Sequence, residues 1–71
     1  MTENDYIKLF GKQLEKWLAE KGLTAYKLGK MAGIYNSNMY AYIEGVTTPA
    51  APHVAKILTA LEITPAEFWG L

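Results

Sequence analysis

The amino-acid sequence predicts an all-α fold, built as one compact domain of five helices. Apolar residues recur at spacings of three and four, which is the period of an amphipathic helix, and no stretch alternates as a strand does. Glycine, threonine and proline stand between these segments, where helices end and begin. A chain of 71 residues that is 51% hydrophobic can bury one core but not two. Because cysteine is absent, stability must come from helix packing, alone or together with dimerisation.

The first predicted helix covers residues 4–21. One helical stripe contains its large apolar side chains, which are Ile7, Phe10, Leu14, Trp17 and Leu18. Gly22 follows Lys21 and is expected to end the helix, because glycine adopts the left-handed cap conformation without steric cost. The polar residues 1–4 could be disordered.

The second and third predicted helices are separated by a glycine turn. Thr24 is a suitable N-cap for a helix over residues 25–32, and Gly33 is expected to adopt a left-handed conformation after it. The third helix covers about residues 36–44 and ends at Gly45. The side chains that these two helices offer to the core are Leu28, Met31, Ala32, Met39 and Tyr42.

The fourth and fifth predicted helices follow the loop "VTTPAAP". The fourth covers about residues 51–61 and tolerates Pro52 in its first turn. Its apolar stripe consists of Val54, Ile57, Leu58 and Leu61. In the fifth, Thr64 is the N-cap, Pro65 takes the first helical position and Glu67 closes a capping box.

Several classes of function find no support in the sequence. The acidic start "MTENDY" is unlike a signal peptide, and no apolar run approaches the roughly 20 residues of a membrane helix. We therefore expect a cytoplasmic protein without a membrane partner. His53 is the single histidine and has neither a nucleophile nor a second metal ligand at a recognisable spacing. We expect no enzymatic activity, no metal and no cofactor.

The distribution of charge is more informative than its sum. The formal net charge is zero, which argues mildly against nucleic acid, and all seven basic residues are lysines. However, no acidic residue lies between Glu20 and Glu44, and three lysines, Lys21, Lys27 and Lys30, fall in that interval. They form either a weak patch for phosphate or an ordinary solvated helix face.

Two helices joined by a glycine turn form a helix-turn-helix, in which the second helix can enter the major groove of DNA. The segments "KGLTAYKLGKMAGIYNSNMYAYIEG", "TTP" and "VAKILTALEITPAEFW" resemble the lambda-repressor-like helix-turn-helix family of the Cro/XRE type. The resemblance covers about residues 10–69. It implies a single domain over residues 1–71, with the helix-turn-helix at about 24–44.

The resemblance also implies which residues contact DNA. The family's base-reading positions correspond to Asn36, Ser37, Tyr40 and Ala41. As candidate phosphate contacts of this chain we expect Thr24, Tyr26, Lys27, Lys30, Asn38 and Thr47. Because the third helix has neither arginine nor lysine, the commonest contact with guanine is missing, and we expect a site rich in A·T pairs.

The sequence departs from the family pattern at several positions. Ala25 replaces a glutamine that commonly grips the DNA backbone, Glu44 replaces an asparagine, and Val46 stands where basic residues are usual. We therefore expect weak or conditional DNA binding. Leu18 and Ile43 replace an arginine and a glutamate that pair in many members, and the paired exchange predicts that both are buried and in contact.

Two interpretations remain open for the exposed side chains. Asn36, Ser37 and Asn38 could simply cap the third helix, since these residue types commonly do so. The tyrosines Tyr26, Tyr35 and Tyr40 could stack on the DNA backbone or anchor a protein partner. The favoured function is a Cro/repressor-type transcription regulator that binds a palindromic site as a homodimer. The alternative is a protein-interaction module with weak or no DNA binding.

Overall fold

The computed structural model describes all 71 residues and confirms the all-α prediction. Five helices follow one another: α1 (Glu3–Lys21), α2 (Ala25–Ala32), α3 (Asn36–Glu44), α4 (Ala51–Leu61) and α5 (Pro65–Trp69). No helix is both long enough and apolar enough to cross a membrane. The predicted boundaries agree closely, because the residues that begin and end these helices act locally.

One core unites the five helices. Its fully buried side chains are Phe10, Leu14, Leu28, Met39, Ile57, Leu61 and Phe68. No polar or charged side chain is buried with them. Trp17 and Trp69 pack on the edge of this cluster as partly buried residues, which confirms the packing role predicted for Trp17.

The first turn of α1 begins earlier than the sequence predicted. Thr2 is its N-cap: the Thr2 hydroxyl accepts a hydrogen bond from the Asp5 backbone, and the Asp5 carboxylate accepts one from the Thr2 backbone. Hydrogen bonding to Thr2, chiefly from its backbone N–H, lowers the pKa of the Asp5 carboxyl below its usual value near 3.8. Residues 2–4, for which disorder was considered, therefore form the cap and first turn of α1.

The turn between α2 and α3 has the predicted conformation. Gly33 has a φ of 72°, in the left-handed region. Gly29 lies four residues earlier, on the inner face of α2. A Cβ added there would be 2.9 Å from the Ile34 carbonyl oxygen and 3.0 Å from Met39 Cγ. Glycine at this position therefore lets the two helices of the motif approach closely.

One residue predicted in the core lies outside it. Met31 is 55% exposed, so its assignment was wrong. The inner face of α2 consists of Ala25, Leu28 and Gly29, with Ala32 half-buried. Met31 falls beside this stripe, because a spacing of three residues leaves a helical position 60° short of a full turn.

The pair expected between α1 and α3 is only partly as predicted. Leu18 is buried, but Ile43 is half-buried on the edge of the core. The closest approach of α1 to α3 lies elsewhere, at Gly11, where a Cβ would overlap the carbonyl oxygens of Tyr42 and Ile43. Direct contact between the Leu18 and Ile43 side chains stays a prediction.

Candidate nucleic-acid interface

The four predicted base-reading residues form an outward surface of α3, which we call the reading face: Asn36, Ser37, Tyr40 and Ala41. Asn36, Ser37 and Tyr40 are exposed, and Ala41 is half-buried. The opposite side of α3 is anchored by Met39 and Tyr42, both buried, as the sequence predicted. The helix therefore presents amide, hydroxyl, phenol and methyl groups outward on one rigid element.

The polar side chains at the start of α3 do not cap it. The N-cap residue is Tyr35, which is 82% exposed, and no side chain accepts a hydrogen bond from the first turn. The side chains of Asn36, Ser37 and Asn38 form no hydrogen bond within the protein. The capping interpretation of these three residues is therefore wrong, and their donors and acceptors are free for a ligand.

The basic side chains lie on the preceding helix. Lys27 and Lys30 of α2 are both exposed. The Lys30 ammonium lies 5.3 Å from the centre of the Tyr26 ring, a cation–π arrangement, and Tyr26 is itself 56% exposed. Because no acidic residue occurs between Glu20 and Glu44, no neighbour along this segment neutralises the two charges.

The other predicted phosphate contacts differ in their solvent exposure and in the hydrogen bonds that they already form. Thr24 is exposed, but its hydroxyl oxygen already accepts a hydrogen bond from the Lys27 backbone as the cap of α2. Its O–H remains available as a donor. Thr47 is exposed in the loop after α3, whereas Asn38 is half-buried. A phosphate could therefore reach Thr24 and Thr47 more readily than Asn38.

Two contacts that join α3 and the loop after it to other helices were not predicted. The loop that contains Thr47 begins at Gly45, where a Cβ would be 3.1 Å from Lys8 Cα, so a lysine of α1 borders this loop. The phenol of Tyr42 is hydrogen-bonded to Nδ1 of His53 in α4. Both contacts join residues far apart in sequence, and no local spacing signals them.

The fold, the free reading face and the neighbouring lysines define the class of protein as a helix-turn-helix DNA-binding domain. Residues 13–71 match the model of the Cro/C1-type HTH DNA-binding domain, and the chain belongs to this family. The predicted family resemblance is thereby confirmed. No curated protein matches the chain.

Proposed function

We propose that this domain is a transcription regulator that binds an A·T-rich palindromic site as a homodimer in the cytoplasm. The observation that carries the proposal is the reading face of α3, whose amide and hydroxyl groups are exposed and unused within the protein. Because these groups bond only to water in the free protein, they can exchange that water for the edges of bases. We propose no catalytic role.

The chemistry of the reading face favours A·T pairs. The Asn36 amide can bond adenine through two hydrogen bonds, and the Ala41 methyl can contact the methyl group of thymine. Ser37 can donate to or accept from several bases and so adds affinity with less selectivity. No side chain on α3 offers the forked donors that guanine recognition by arginine requires.

The phosphate contacts are few in this proposal. Lys27 and Lys30 of α2 provide charge, while Thr24 at the start of α2 and Thr47 in the loop after α3 provide hydroxyl donors. Each phosphate neutralised releases counterions, so the affinity depends on salt in proportion to the number of contacts. We therefore expect a shallow salt dependence for a protein of this class.

The decisive experiment compares two substitutions on two DNA duplexes. A site is first selected from random sequence, and fluorescence anisotropy then gives the affinity of the parent, Asn36→Ala and Lys30→Ala for that site and for random duplex, at several salt concentrations. Asn36→Ala should cost about 1–3 kcal/mol on the selected site and much less on random DNA. Lys30→Ala should weaken both equally and reduce the salt slope by about one.

Melting curves of both variants control for folding, and Asn36 is not a cap, so both should melt as the parent does. Equal losses on both duplexes for Asn36→Ala would remove it from base reading. Failure of the parent to bind DNA at low salt would refute the proposed function.

The homodimer would use an apolar surface formed by Tyr6, Leu9, Trp69 and Leu71, which we call the dimer patch. Leu9 lies one turn from Tyr6 and is 39% exposed, the Tyr6 and Trp69 ring centres are 5.6 Å apart, and Leu71 is 95% exposed. One domain measures 30 Å along its longest axis. Two domains side by side would suit reading helices about 34 Å apart, in successive major grooves.

Sedimentation velocity over a range of concentrations tests this interface. Leu9→Lys should shift the protein toward the monomer, because a charge in the middle of the patch would be desolvated on association. Met31→Lys, at an exposed apolar position outside the patch, is the matched control. A dimer that persists in Leu9→Lys would place the interface elsewhere, and a parent that is monomeric both free and on DNA would refute the homodimer.

A second candidate function, protein recognition, is favoured by one observation. Tyr35 occupies an N-cap position, where small polar residues are preferred, yet it is 82% exposed, and Tyr26 and Tyr40 of the same helix-turn-helix are also exposed. Exposed tyrosines are typical anchors of protein interfaces. Under this alternative, Tyr40→Ala would disrupt a protein complex while DNA binding was already negligible in the parent.

A further inference from the structure

Tyr42 and His53 form the one hydrogen bond between two side chains in the protein. The Tyr42 phenol oxygen lies 2.5 Å from Nδ1 of His53. Tyr42 is only 5% exposed, and its ring packs edge-on against Phe10, with ring centres 6.4 Å apart. His53 is half-buried in the first turn of α4. The bond therefore links two side chains that the surrounding structure already restrains.

This bond is also the only side-chain hydrogen bond that joins α3 to another helix. The other interhelical side-chain bonds run from Gln13 and Trp17 of α1 to the Phe68 carbonyl of α5. Apart from Tyr42, the one fully buried anchor of α3 is Met39, a flexible side chain that accommodates small displacements. Apolar contacts hold α3 on the core, but a hydrogen bond restricts direction as well as distance.

We propose that His53 is a positioning residue for DNA recognition, which fixes the rotation and axial position of α3 through Tyr42. This inference rests on the proposed function. Tyr42 lies on the inner side of α3, opposite the reading face, so a change at its phenol turns or tilts the whole helix. Paired hydrogen bonds from Asn36 to a base tolerate displacements of only about 0.5 Å. Binding to phosphates by lysine is far less sensitive to such displacements.

Substitutions at Tyr42 and His53 distinguish the effect of the hydrogen bond on the position of α3 from the effect of side-chain size. His53→Leu keeps a side chain of similar bulk but cannot hydrogen-bond, and Tyr42→Phe removes only the phenol oxygen. His53→Asn is the conservative rescue, because its Oδ1 is attached to Cγ, as Nδ1 is in histidine, and can accept from the phenol.

The first measurement is the ratio of affinities for the selected site and for random duplex. We expect His53→Leu and Tyr42→Phe each to lower this ratio about five- to tenfold, the equivalent of weakening one paired base contact. Affinity for random duplex should stay at the parent value. His53→Asn should retain most of the ratio, and the double variant should lose no more than either single one, since both remove the same bond.

The second measurement is amide hydrogen exchange of the free protein, which does not depend on DNA. In His53→Leu the amides of α3 should exchange faster than in the parent by a larger factor than those of α1. An equal acceleration in all helices would show a loss of global stability alone and would overturn the inference. So would an unchanged affinity ratio in Tyr42→Phe, or a ratio for His53→Asn as low as that of His53→Leu. If the parent did not bind DNA, the proposed function would fail, while the exchange measurement would still decide whether His53 restrains α3.

Discussion

Replacing Gly11 with alanine should destabilise the protein, although alanine is the better helix former. A Cβ at Gly11 would lie 2.7 Å from the Tyr42 carbonyl oxygen and closer still to that of Ile43, whereas ordinary Cβ contacts begin at 3.4 Å. The difference, 3.4 minus 2.7, means that the backbones of α1 and α3 must separate by at least 0.7 Å. Both obstructing atoms belong to the backbone, so no side-chain rotation can make room.

The magnitude follows from two opposing terms. Overpacking typically costs about 1–3 kcal/mol, and rigid backbone neighbours favour the upper part of that range. Exchange of glycine for alanine within a helix returns about 1 kcal/mol. We therefore expect a net loss of about 1–2 kcal/mol, equivalent in a domain of this size to a decrease in Tm of about 4–16 °C.

Thermal and urea unfolding of Gly11→Ala and Ala19→Gly provide the assay. Ala19 is exposed on the same helix, so Ala19→Gly measures helix propensity alone and should cost about 1 kcal/mol. If propensity governed both sites, the two variants would change stability in opposite directions, but packing predicts a loss in both. A parental or higher Tm for Gly11→Ala would refute the close approach of α1 to α3.

Three further predictions concern backbone conformation and helix capping. At Gly33 a Cβ would meet nothing within 4 Å, so any cost of a side chain there comes from the left-handed backbone alone. Gly33→Val should lower the free energy of unfolding by about 2 kcal/mol and Gly33→Asn by less, and equal melting temperatures of the two variants would contradict this. Glu62 ends α4 with a φ of 59°, so Glu62→Gly should raise stability by about 1 kcal/mol in urea unfolding, and a loss would mean that its side chain contributes more than the strain. Because the pKa of Asp5 is lowered, the folded state binds this proton more weakly than the unfolded state. The contribution of the α1 cap to stability is therefore fully present above about pH 3.8 and is lost as the pH falls through the lower pKa of the folded state. An NMR titration should find the Asp5 pKa raised toward 3.8 in Thr2→Pro, which removes the backbone N–H that bonds the carboxylate; an unchanged pKa would contradict the capping box.

The helix boundaries could be predicted because their signals are local. Thr24 and Thr64 cap the helices that follow them, and Gly33 and Gly45 adopt the left-handed conformation, as sequence reasoning requires of such residues. The cap of α1 was overlooked because Thr2 lies in a polar terminal segment, although Thr2 and Asp5 have the spacing of a capping box.

The arrangement of side chains around α3 was predicted less well. Periodicity identified Met39 and Tyr42 as its inner face, but it could not reveal that Tyr42 bonds His53, because that contact depends on how α4 packs. Asn36 is a residue type that commonly caps helices, yet the N-cap of α3 is Tyr35. Because α3 begins one residue earlier than a cap at Asn36 would require, the Asn36 side chain does not bond the first turn. The roles of these exposed residues toward DNA remain predictions.

Both tryptophans lie where α1 meets α5. The Trp17 indole N–H is 3.2 Å from the Phe68 carbonyl oxygen, and Trp69 packs beside Tyr6 at the dimer patch. The helix-turn-helix itself contains tyrosines but no tryptophan. Emission excited selectively in tryptophan should therefore report folding and self-association but remain nearly silent to contacts made by α3. In a Tyr6→Phe variant the remaining tyrosines all lie in α2, α3 and the turn between them, so quenching of their emission should follow contacts of the helix-turn-helix separately from those of the dimer patch.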